Sequence, residues 1–91
     1  MKRRAMKKDI LLILVNKRKE EAEKVQKILT GWGCIIRTRL GLHSGVLDEC
    51  SNTGLIFLEL VGDKGKHEEL RHKLDILPGV NAKLVELNTE E

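Results

Sequence analysis

The chain has 91 residues, of which 41% are apolar and 34% charged, with a formal net charge of +3. That length provides for one small core, and no apolar run approaches the roughly 18 residues of a membrane span. Lys2, Arg3, Arg4, Lys7 and Lys8 all precede the first apolar run; taking these five from +3 leaves the remainder at −2, which argues against a basic nucleic-acid-binding surface.

Residues 1–8 read as a basic, solvated leader, and 9–88 as a single domain. The apolar stretch that follows the leader is short for a signal peptide, and KRKEE stands where a cleavage site would be. A cytoplasmic protein with two reduced cysteines is expected.

The run DILLILV at 9–15 fits a central strand buried on both faces. Asn16 is placed to cap the helix that follows. In that helix Ala22, Val25, Ile28, Leu29 and Trp32 recur at helical spacing, with Glu20, Glu21 and Glu23 near its start. Gly31 and Gly33 end it. A second strand is predicted over 34–42, with Ile36, Thr38, Leu40 and Leu42 on one face and Cys34 as a small buried hydrophobe. A polar loop carries His43, Ser44, Gly45 and Cys50. The third strand, GLIFLELV at 54–61, is apolar on both faces except at Glu59, which could pair with Arg37 or Arg39. Asp63 would cap a helix over 64–77 with His67, Leu70, Leu74 and Leu77 inside, ended by Pro78 and Gly79. A last strand covers 80–87.

The order βαββαβ predicts an α+β, ferredoxin-like fold: a four-stranded antiparallel sheet with both helices on one face. The bare face should then be polar, yet the first and third strands put apolar side chains on both faces. Such a patch marks an interface, so a dimer or tetramer of this chain, assembled through the sheet, is expected. RNA binding is not expected, because Phe57 is the one aromatic residue available to stack on bases there.

With this element order, Arg39-Leu40-Gly41 closing the second strand and Leu77-Pro78-Gly79-Val80 closing the second helix, the chain resembles the ACT-like regulatory domains. Within these it is similar to the small stand-alone regulators of the iron-only hydrogenase system, over about residues 9–87. His43, Cys50 and Gly62-Asp63 also resemble, more distantly, the C-terminal domain of the nickel-responsive repressor. The ACT resemblance implies a non-enzymatic, small-ligand-sensing regulatory domain with its effector site at the first strand–helix turn, between two copies.

The candidate ligand-binding residues are accordingly Asn16 and Lys17 at that turn, and Leu42, His43, Ser44 and Gly45 at the loop. The alternatives are a nickel or zinc sensor using His43 and Cys50, completed by Asp48, Glu49 or a second copy, and an interaction module without a ligand. Neither a catalytic constellation nor a phosphate-binding loop is recognisable. No enzymatic activity is expected, and the sequence names no cofactor.

Overall fold

The computed structural model describes residues 6–16, 19–43 and 54–89. Strand β1 (Lys7–Val15) is followed by helix α1 (Lys19–Gly31), a 3-10 turn (Gly33–Ile35), strands β2 (Ile36–His43) and β3 (Gly54–Leu60), helix α2 (Lys64–Asp75) and strand β4 (Val80–Asn88). The strands form one antiparallel sheet in the order β2-β3-β1-β4, the ferredoxin-like arrangement the sequence predicts.

Apolar alternation sets β1 at the centre. Leu11, Ile13 and Val15 are buried, and so are their neighbours Leu58 and Ile56 on β3 and Ala82 and Val80 on β4. Val25 and Leu29 of α1 and Leu70 and Leu74 of α2 close this core from one side. Ala22, Ile28 and Trp32 pack against it, half-buried, in keeping with the helical stripe.

β1 opens two residues before Asp9: Lys7 lies opposite Asn88 and Lys8 opposite Leu87. α1 is described from Lys19 onward, and the cap expected at Asn16 is separated from it by residues 17–18, which lie outside the described residues. The backbone N–H of Asn16 donates to the Gly79 carbonyl at 2.7 Å, joining the end of β1 to the turn before β4.

The start of β2 also departs from the sequence reading. Residues 33–35 form the 3-10 turn, which leaves Cys34 exposed rather than buried. The register then shifts between Ile36, opposite Leu60, and Thr38, opposite Glu59. Arg37 is the extra residue of this β-bulge, which reverses the alternation. Ile36 therefore belongs to the core face, whereas Thr38 and Leu40 belong to the open one.

Asp63 caps α2 as expected, its carboxylate accepting from Gly65 N–H at 3.3 Å. Gly62 precedes the cap with φ +89°, a conformation that favours glycine. At the other end the Asp75 carboxylate accepts from Ala82 N–H at 2.9 Å, fixing the helix to β4.

The face away from the helices carries an apolar patch. Ile10, Leu12 and Leu14 of β1 adjoin Phe57 and Leu55 of β3, with Val85 beside Ile10 and Leu40 beside Phe57. Leu14 is 49% exposed, Leu40 52% and Leu87 56%. None of the described helices is long and apolar enough to cross a membrane.

Candidate functional site

Register brings the two stretches singled out in the sequence to one end of the sheet. His43 lies opposite Gly54, Gly54 opposite Val15, and Val15 opposite Val80. Neighbouring strands are about 4.8 Å apart, so the backbone of His43 stands roughly 10 Å from that of Val15, two strands away. Asn16 and the 78–81 turn therefore share an edge with the strand end that carries Leu42 and His43. Leu42 is opposite Leu55. Lys17, Ser44, Gly45 and Cys50 lie outside the described residues.

A groove of about 350 Å³ opens at this end, lined by Leu14, Asn16, Gly79, Val80 and Asn81. The Asn16–Gly79 hydrogen bond draws its two walls together. Gly79 adopts φ +73°, and a Cβ there would stand 3.1 Å from Asn16 Cβ. Glycine is thus required twice, for backbone conformation and for space. The sequence reading singled out Leu77-Pro78-Gly79-Val80 as a family mark and missed its part as a wall. Asn81, also missed, is an exposed polar residue in an alternating strand, a pattern that carries no signal by itself.

The described groove side chains are two neutral amides, Asn16 and Asn81, and two aliphatic groups, Leu14 and Val80. Amides donate and accept, and so can orient a small polar molecule. None is a nucleophile or a general acid–base group. Among the described residues no cluster of His, Cys, Asp and Glu could hold a metal ion.

A second cleft, of about 370 Å³, lies at the opposite end and includes Asp9, Glu59, Lys64, His67 and Glu86. Apart from Lys7, its charges are matched to one another. His67 Nδ1 is 2.6 Å from the Asp9 carboxylate, and Nε2 is 2.8 Å from the Val61 carbonyl. Both partners are acceptors, so whichever ring nitrogen carries a proton has an oxygen to receive it. Asp9 and His67 are both buried. Lys8 donates to Glu59 Oε2 at 2.6 Å and the Thr38 hydroxyl to Oε1 at 3.1 Å. These contacts, chiefly the Lys8 hydrogen bond and then that of Thr38, hold the Glu59 carboxyl below its ordinary value. Glu59 thus pairs with Lys8 from β1, not with Arg37 or Arg39. Lys64 bonds to Glu86, which raises the Lys64 pKa. These pairs join β1 to α2, β1 to β3 and α2 to β4. This end is a clamp, and the Asn16 end is the candidate site.

No protein-family model matches the sequence, and no curated protein is significantly similar to it. Among solved structures, an uncharacterized protein from Thermotoga maritima is 30% identical with a TM-score of 0.75, over 92% of this chain and 99% of that one. The chain belongs to that protein's family. The family's architecture extends to more distant folds. CPII, a nitrogen regulatory PII-like protein from Thiomonas intermedia solved with ADP, AMP and bicarbonate, is 9% identical with a TM-score of 0.61, over 97% of this chain and 98% of that one. The ACT domain from GTP pyrophosphokinase of Chlorobium tepidum is 16% identical with a TM-score of 0.56, over 96% and 90% of the two chains. At these identities the likeness is one of fold.

Proposed function

We propose that this chain is a non-enzymatic regulatory module that binds a small effector at the Asn16 end and acts as a homo-oligomer assembled through its open sheet face. The observation that carries the reading is the groove between Asn16 and Gly79, which adjoins that apolar face at Leu14. A second copy on the face would cover the groove's open side, so that effector and subunit packing become linked. An effector that binds one packing better shifts the population toward it. Lys17, Leu42, His43, Ser44 and Gly45 would complete the site from the neighbouring turn and loop. The fold shared with a PII-like regulator and an ACT domain supports a signalling role. The resemblance to the small regulators of the iron-only hydrogenase system supports service in that system.

Native mass spectrometry of the purified chain tests the proposal, first alone and then with ADP or AMP, the ligands of the PII-like protein, as probes. A dimer or tetramer that retains or takes up a small molecule is expected, with uptake lost in Gly79→Ala. A monomer at micromolar concentration overturns the assembly. A retained metal ion that is lost in His43→Ala and in Cys50→Ser would replace the small-molecule reading with the metal-sensor one.

A further inference from the structure

We infer that Glu21 is the group in this chain that receives a protonated amine of the effector. The inference rests on the reading above only for the end of the molecule at which the effector binds.

The core stripe of α1 steps back from Leu29 through Val25 to Glu21, at four-residue spacing. Leu29 and Val25 are fully buried, and Glu21 is only 5% exposed. An aliphatic residue would be expected at this position. Among the described buried side-chain polar atoms, Glu21 Oε2 is the one without a hydrogen-bond partner. The other buried carboxylate, Asp9, has His67, and the half-buried Asp75 and Glu59 have Ala82 N–H and Lys8. A carboxylate taken out of water without a partner is among the costliest groups a small domain can contain. The other buried side-chain polar atoms among the described residues are satisfied, so the exception calls for a ligand.

Its place in the fold says where that ligand enters. α1 follows β1 and starts at the end where β1 stops, so its first turn belongs to the Asn16–Gly79 end and not to the clamp. With a rise of 1.5 Å per residue, Glu21 is about 6 Å nearer that end than Val25. The chemistry says what the ligand carries. In a low-dielectric setting a carboxylate is satisfied best by a cation that also donates hydrogen bonds, and a primary ammonium offers both. At this oxygen an anionic part of the ligand would be repelled, and an apolar part would leave the oxygen as it is.

The test uses the full chain and its Glu21→Met and Glu21→Gln variants, followed by thermal unfolding. Met removes the buried oxygen that lacks a partner, so its Tm is expected to rise by about 5 °C, the shift that follows from relieving a modest destabilisation in a domain of this size. The probes are ethanolamine, putrescine and agmatine at millimolar concentration, with uncharged N-acetylethanolamine as control. The amines are expected to raise the Tm of the wild type but not of either variant, and the control to raise none. Gln preserves the shape of the site, and loss of the amine response there supports the assignment even if Met fails to fold. A Glu21→Met variant that folds with a lowered Tm, an amine response equal in wild type and Glu21→Gln, or no response to any amine would each overturn it. None of these results touches the Asn16 site itself, which stands or falls with Gly79→Ala.

Discussion

His67 and Asp9, 58 residues apart in sequence, form a buried pair 2.6 Å apart that fastens α2 to the central strand. Because the other ring nitrogen meets the Val61 carbonyl, the same imidazole also fixes the turn that leads into α2. Removing one member of such a pair strands the other in the core, whereas removing both does not. His67→Leu is therefore expected to lose about 3–5 kcal/mol in urea unfolding. The double variant Asp9→Leu/His67→Leu should recover most of that loss. Single-variant losses that merely add in the double variant would show that the two residues act independently.

Glu59 gives the fold a pH dependence of known sign. Its carboxyl is held below the ordinary value of 4.5, first by Lys8 and then by Thr38. A folded-state value below the unfolded one stabilises above the unfolded value, and the gain disappears as pH falls through the folded value. The Tm difference between wild type and Glu59→Gln should thus be present near neutrality and shrink as the solution is acidified below 4.5. The Lys8–Glu59 pair is partly exposed, so added salt should narrow the difference as well. Lys64 carries the opposite sign. Its pKa is raised above 10.5 by Glu86, so its contribution persists below that value and is lost as pH rises through the folded-state one.

Gly79→Ala should cost about 1–2 kcal/mol from its left-handed backbone alone. Its Cβ, 3.1 Å from Asn16 Cβ, would also push apart the walls of the groove. Gly31→Ala is the control: it closes α1 and meets nothing within 4 Å. Chemical unfolding of the two variants should show a loss for the first and little change, or a slight gain, for the second.

Leu40 is exposed on the open face beside Phe57, and its replacement leaves the core intact. Leu40→Glu is expected to keep the Tm of an isolated subunit while shifting sedimentation from oligomer to monomer. Fully burying a leucine contributes about 1.5–3 kcal/mol, and a buried unpaired carboxylate in its place adds a further penalty to the assembled state. An oligomer that survives this change would place the interface elsewhere.

The element order was legible because periodicity is local: DILLILV and GLIFLELV announce two-faced strands, and the stripe through Val25 and Leu29 announces a helix. The identity of the inward histidine was legible for the same reason. Its partner was not, because nothing near Asp9 points to a residue 58 positions away. Lys8 was equally hidden as the partner of Glu59, since it lies in what reads as a solvated leader. The 3-10 turn that exposes Cys34 and the bulge at Arg37 left no mark in the pattern, for IRTR alternates acceptably in either register. At the candidate site, Asn16 could be picked out as a turn residue. The reason it matters, the closure onto Gly79, emerges only when β1 and β4 are set side by side.

The bulge at Arg37 has a bearing on how copies of this chain can meet. Among the described strands, β2 and β4 are the two edges of the sheet. Joining edge to edge is an open-ended mode of growth, since each added copy offers a new edge to the next. Arg37 breaks the regular ladder on one side, and Lys83 places a charge in the middle of the strand on the other, the devices by which sheets discourage unlimited extension. Stacking through the apolar faces, the assembly proposed above, would use that surface up and end there, so the same sequence would both invite association and set a finite size for it.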